Sequence, residues 1–152
     1  EVKGIIHTHS HKITKYLQDH LKKTPYFNRF LFREKGVDNQ ELIRQHTLST
    51  EPTILVSPSL TYGVDLKDDL SRFQIVVKLP YSPLGSKRIK KLFEESKEWY
   101  QNKMLNNLVQ ASGRSTRSED DHSVTYILDG TLKNILTRSK HNLPKHFLSR
   151  FM

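Results

Sequence analysis

Ile54-Leu55-Val56-Ser57-Pro58-Ser59-Leu60-Thr61-Tyr62-Gly63-Val64-Asp65 is the stretch on which the fold turns. It opens on consecutive apolar side chains with no polar residue alternating among them. A strand with one solvated face alternates, whereas an unbroken run belongs to a strand buried on both faces, the habit of parallel sheets covered by helices. The run then passes into hydroxyls, a glycine and a carboxylate, the composition of a chain leaving a sheet and turning.

Working outward, the blocks Gly4 to Thr8, Phe27 to Phe32, Thr53 to Val56, Phe73 to Leu79 and Val124 to Leu128 read as strands. Between them the apolar spacing is helical. Ser10 is placed to cap a helix running to about Lys23, with Ile13, Tyr16, Leu17 and Leu21 on one side. Asp38 caps another to about Leu48, and a single long helix is predicted from Ser86 to about Val109 with Trp99 in its core stripe. Pro25, Pro52, Pro80, Pro83 and Pro144 fall at or between element ends. Strand alternating with helix predicts an α/β fold, a mainly parallel sheet of five or more strands sandwiched by helices. Ligands of such sheets bind beyond the carboxyl ends of the strands.

The 152 residues suit one domain, with 131–152 as its basic C-terminal tail. The chain opens almost directly on a strand-like block, so a fragment of a longer protein is expected. No run approaches the roughly 20 apolar residues of a membrane span, so no membrane partner is expected. There is no cysteine, which excludes disulfides and thiolate metal sites here and suits an intracellular location, cytoplasm or nucleoid/nucleus. Twenty-five Lys and Arg against 16 Asp and Glu leave a formal charge of +9. Beyond Asp129 no acid occurs, while Lys133, Arg138, Lys140, Lys145 and Arg150 continue. Such a balance fits either a polyanionic partner or a solvated surface.

Gln110-Ala111-Ser112-Gly113-Arg114-Ser115-Thr116-Arg117 carries the most chemistry. Two arginines three apart on a helical turn point the same way, and guanidinium groups fork onto phosphate oxygens. They read either as arginine fingers on a γ-phosphate or as a surface pair bridged to Glu119, Asp120 and Asp121. Ser59 and Thr61 are of the type that donates to nucleic-acid phosphates. Asp65 reads either as a group accepting from a ribose hydroxyl or holding an arginine, or as the cap of a following turn. His7, His9 and His11 alternate like metal ligands, but no acidic or thiolate ligand accompanies them, and a helix start at Ser10 is preferred. No metal site is expected.

Taken in order, these segments resemble the C-terminal RecA-like motor domain of superfamily-two helicases, of the XPD/DinG branch. The branch's Gln-x-x-Gly-Arg-x-x-Arg pattern matches Gln110, Gly113, Arg114 and Arg117, and its strand followed by Gly-x-Asp matches Gly63 and Asp65. A strand ending in a hydroxyl residue matches Gly4 to Ser10, and Leu79-Pro80-Tyr81-Ser82-Pro83 resembles its proline-rich step. The resemblance implies a three-layer, P-loop-NTPase-type domain acting as the second motor half of a DNA helicase. Arg114 and Arg117 would be arginine fingers toward ATP, with Mg²⁺, held on the N-terminal motor domain of the same polypeptide. Gln110 would contact the nucleotide, with Gly113 allowing close approach. Gly63 and Asp65 would couple nucleotide state to the strand-binding surface, and Ser10, Ser59 and Thr61 would touch single-stranded DNA. Departures are Tyr62, where many members carry an acid, Asp121-His122-Ser123, which keeps only the aspartate of Asp-x-Gly, and Leu128-Asp129-Gly130, which lacks a following arginine.

The chain has no Gly-x-x-x-x-Gly-Lys-Ser/Thr (Walker A) loop and no Asp-Glu-x-His box, so by itself it is expected neither to bind ATP tightly nor to hydrolyse it. The alternative is a stand-alone nucleic-acid-binding module with the same fold and no motor activity. A nucleotide-sugar or methyl-transferring α/β enzyme shares the fold class but wants a Gly-rich loop after the first strand, which is missing.

Overall fold

The computed structural model describes residues 2–33, 36, 38–59, 66, 68–112 and 122–139. Five strands, β1 (Gly4–His7), β2 (Phe30–Phe32), β3 (Ile54–Ser57), β4 (Phe73–Val76) and β5 (Val124–Ile127), form one sheet in the order β2-β3-β1-β4-β5. Every pairing is parallel. The helices are α1 (His11–Leu21), α2 (Asn39–Leu48), α3 (Lys87–Glu95), α4 (Lys97–Ser112) and α5 (Leu132–Ser139). The α/β class and the parallel sheet are therefore as the sequence predicts.

Handedness decides the layers. Right-handed crossovers moving in opposite directions along a sheet lie on opposite faces. The β1-to-β2 connection moves one way, and α1 sets Leu17 against the face of Ile6, Ile54 and Val56. The later connections all move back the other way and share the second face. There Leu42, Leu66 and Leu70 pack on Ile5 and Leu55. Further along, Met104, Leu105, Leu108, Leu132 and Ile135 pack on Val76 and Leu79. The two central strands β1 and β3 are buried throughout, as their unbroken apolar runs require. At edge strand β5 the face opposite α4 keeps Val124, Tyr126 and Leu128 exposed.

Three expected elements differ. The block from Phe27 begins as a 3-10 turn, Phe27–Arg29, and only Phe30–Phe32 pairs. The Arg29 guanidinium anchors that turn by donating to the Pro52 carbonyl at 3.0 Å. The long helix is two helices broken at Ser96, whose backbone is extended (φ −153°, ψ 103°). The Ser96 Oγ accepts from the Trp99 N–H at 3.1 Å, so a serine cap starts α4 afresh and lets it lie on the sheet. Tyr100 keeps the two helices in touch, its ring edge-on to Phe93 at 5.0 Å. In α1, Tyr16 is exposed beside His20 rather than core, and Thr14 is the buried residue.

A polar tie fastens α2 to the start of the sheet. Lys3 Nζ donates to the carbonyls of His46 and Ser49, at 2.6 and 2.7 Å, satisfying groups that the helix end leaves open. His46 is wholly buried; its Nε2–H donates to the Leu70 carbonyl and its Nδ1 accepts from Thr53 Oγ1, both at 2.8 Å. Burial pushes its pKa down, the Leu70 carbonyl raises it, and the Lys3 ammonium lowers it further. Lys3→Met strands those carbonyls and is expected to cost about 1–3 kcal/mol. The urea midpoint should drop at unchanged slope, and a midpoint within error of the parent would contradict the tie.

Candidate functional site

The carboxyl edge is built from the residues that leave β2, β3, β1 and β4, in that spatial order. Arg33 follows β2, and its Nη1 donates to the hydroxyl of Ser59, which follows β3. The Ser59 N–H donates to Ser57 Oγ at 3.2 Å, closing a small turn that holds Ser59 at the surface. Past β1, the Thr8 hydroxyl donates to Thr14 Oγ1 at 2.7 Å, and the Thr14 hydroxyl donates to the Ser10 carbonyl at 3.1 Å. Ser10 occupies the N-cap of α1 as expected, but its side chain takes no helix amide; its carbonyl instead accepts from the Thr14 hydroxyl. Past β4 stands Lys78, exposed. The structure thus aligns Ser10 and Ser59 along one edge and adds Arg33 and Lys78, which the sequence reading did not single out.

His9 turns the chain from β1 into α1 through a left-handed backbone (φ 49°), a conformation that costs a bulky residue energy. Its ring stacks on His7 at 6.0 Å. The buried His9 Nε2 has no hydrogen-bond partner among the described residues. Burial, then the neighbouring His7, push its pKa down to about 4. His7 itself donates from Nε2 to Gln74 Oε1 at 3.0 Å, and His11 is exposed. No group of three or more His, Cys, Asp or Glu able to hold a metal is assembled among the described residues.

The opposite edge receives α4. Its course runs antiparallel to β4. The Tyr100 hydroxyl donates to the Ser82 carbonyl at 2.6 Å, Asn107 Nδ2 to the Pro80 carbonyl at 3.3 Å, and Gln74 Nε2 to the Ser112 carbonyl at 3.2 Å. On the far side of the next connection, the His122 carbonyl accepts from Arg72 Nη1 at 3.3 Å, just before β4 begins. The residues flanking 113–121 therefore both lie at the amino edge. The sequence reading set the cleft for Arg114 and Arg117 at the carboxyl edge, and both arginines lie outside the described residues. A segment joining a helix to the next parallel strand leaves and returns at the amino end. Gln110 is described, exposed near the end of α4. Gly113, Arg114, Arg117, Thr61, Gly63 and Asp65 lie outside the described residues.

Two residues beyond the motifs hold this geometry. Gln74 is buried in β4, and Asp129 closes the end of β5. Asp129 accepts from the Leu79 N–H at 3.2 Å, the Thr131 N–H at 3.1 Å and the Thr131 hydroxyl at 2.6 Å. Partial burial pushes its carboxyl up, but those hydrogen bonds and the Lys78 ammonium outweigh it and hold the group below its usual range.

A family model described as helicase C-terminal domain matches residues 2–149. The chain belongs to the helicase C-terminal domain family. Among solved structures, this helicase domain resembles Xpd4 of S. tokodaii, at 15% identity and a TM-score of 0.55. The match covers 95% of this chain and 30% of the Xpd4 chain, so the helicase domain spans under a third of that relative. At that identity the likeness establishes the fold, a RecA-like α/β arrangement. No curated protein matches the chain.

The His9 site makes a pH prediction. Unfolded, His9 titrates at its ordinary 6.5; folded, at about 4. Between these values only the unfolded chain binds the proton. The stability is therefore complete above about 6.5 and is lost as the pH falls through that window, on the order of 3 kcal/mol by the low end. His9→Asn tolerates the left-handed backbone and does not titrate. It should shrink the drop in melting temperature between neutral and mildly acid buffer, and an undiminished drop would contradict the assignment.

Proposed function

We propose that the chain is the second motor domain of an ATP-dependent DNA helicase, with its two sheet edges serving two partners. The observation that carries this reading is the family match over residues 2–149 on a fold whose α4 ends at the amino edge, immediately before Gly113 and Arg114. Nucleotide chemistry would then be met at the amino edge, by Gln110, Arg114 and Arg117. ATP and its Mg²⁺ would be gripped by the N-terminal motor domain of the same polypeptide. This chain carries no phosphate-cradling loop, so its donors fit the outer oxygens of a triphosphate rather than the whole cofactor. Bound ATP supplies the free energy of phosphoryl transfer. The guanidinium groups would stabilise negative charge developing on the γ-phosphoryl oxygens, and Gln110 would orient against the nucleotide or its attacking water.

The carboxyl edge suits the single strand. Arg33, Ser59, Ser10 and Lys78 follow four neighbouring strands, which at about 4.8 Å per strand spans roughly 15 Å. A row of cations and hydroxyls over that distance matches a few successive phosphates. Gly63 and Asp65 would couple the two edges, as the resemblance implies.

In the full-length enzyme, Arg117→Ala is expected to lower DNA-stimulated ATP turnover by about 10³-fold, the contribution typical of an arginine finger, while the protein remains folded and binds DNA. Turnover near that of the parent would overturn the assignment.

A further inference from the structure

One side of α4 faces away from its core residues. Trp99, Asn102, Lys103, Asn106, Asn107 and Gln110 line one groove of about 440 Å³ along it. Met104, Leu105 and Leu108 are buried on the other side of the helix. Trp99 is the only tryptophan of the chain, and the sequence reading put it in the core. It is instead partly exposed, because the break at Ser96 starts α4 in a new direction and turns Trp99 out of the stripe. The Lys103 ammonium stands 5.8 Å from the indole centroid, at the outer reach of a cation–π contact and so available to a phosphate. Among the described lining residues none is a carboxylate, and apart from Trp99 and Lys103 they are amides, which both donate and accept.

An aromatic face, a cation and a row of amides are the parts with which proteins hold unpaired bases. The placement agrees. Tyr100, next to Trp99, is held by the Ser82 carbonyl beyond the carboxyl end of β4. The groove therefore begins at the edge that carries Ser10, Ser59, Arg33 and Lys78, and runs along α4 to Gln110. We propose that it is a single-strand subsite: one base stacks on the Trp99 indole, Lys103 meets a flanking phosphate, and Asn102 and Asn106 take base edges. The proposal rests on the helicase reading above and extends it to the part of α4 that precedes Gln110, the motif residue at the far end of the groove. A protein partner on the same groove is the competing occupant, and the test separates the two.

The whole chain is titrated at low salt with end-labelled oligo-thymidine, reading the label's anisotropy and the Trp99 fluorescence together. Both should change with one midpoint. Trp99→Leu should weaken binding about tenfold, the usual effect of removing one stacking platform, with the melting temperature unchanged because the ring is not core. Lys103→Gln should weaken binding and flatten its salt dependence. Blunt duplex of the same length should leave the indole signal unaltered. If anisotropy rises while Trp99 stays bright and Trp99→Leu binds like the parent, the strand lies elsewhere, the groove is left to a protein partner, and this inference fails while the helicase reading stands. If anisotropy does not change at all, strand binding by this domain fails, and this inference with it.

Discussion

Gln74 is an amide in the middle of a strand that is otherwise apolar, and its side chain is 1% exposed. A buried amide left unpaired costs about 1–3 kcal/mol, so its position is tolerable only where both ends are met. Here the oxygen takes the His7 N–H, and the nitrogen gives to the Ser112 carbonyl and, at 3.5 Å, to Thr125 Oγ1. One side chain thereby ties β1, β5 and the last turn of α4 to β4. The Ser112 carbonyl is one of those a helix leaves open at its end, so the tie also fixes where α4 stops. The chain passes on to Gly113 and Arg114 from that fixed point.

Which residues gather at which edge comes from connectivity. Residues that follow strands gather at one edge of a parallel sheet, and residues that follow helices gather at the other. Ser10 and Ser59 belong to the first kind, and Ser112, at the end of α4, to the second. In the proposed motor, the groups offered to the strand at Ser10 and Ser59 and those offered to the nucleotide would stand at different edges, and a change at one would be carried to the other through the body of the sheet. Val56, Val76, Met104 and Leu108 are wholly buried, and such a core transmits displacement rather than absorbing it.

The α/β class, the parallel sheet, four of the strands nearly whole and the Asp38 cap were legible in the sequence. Unbroken apolar runs and cap residues are local signals that tertiary structure rarely overrides. The break at Ser96 was missed because helical spacing on both sides of it blends into one rhythm; a serine two residues before Glu98 was the available sign. Trp99 went astray with it. The rule for strand ends does not carry over to a segment that follows a helix, so the edge at which Ser112 and His122 stand was not read. Arg33 and Lys78 gave no motif at all, since their grouping with Ser59 and Ser10 exists only once four strands lie side by side. Gln74 could have been suspected as a lone amide in an apolar block, though its partners His7, Ser112 and Thr125 are far away in the chain.

The separation of the edges is open to a direct distance measurement. In the full-length protein, a nitroxide is placed at position 59 or at position 110, and a Mn²⁺-loaded, non-hydrolysable ATP analogue fills the proposed nucleotide site. Relaxation of each spin label by the metal reports how near it lies. Strong relaxation at position 110 and weak relaxation at position 59 is the predicted result. The reverse pattern would mean that the nucleotide approaches the carboxyl edge, and would contradict the assignment of the two edges.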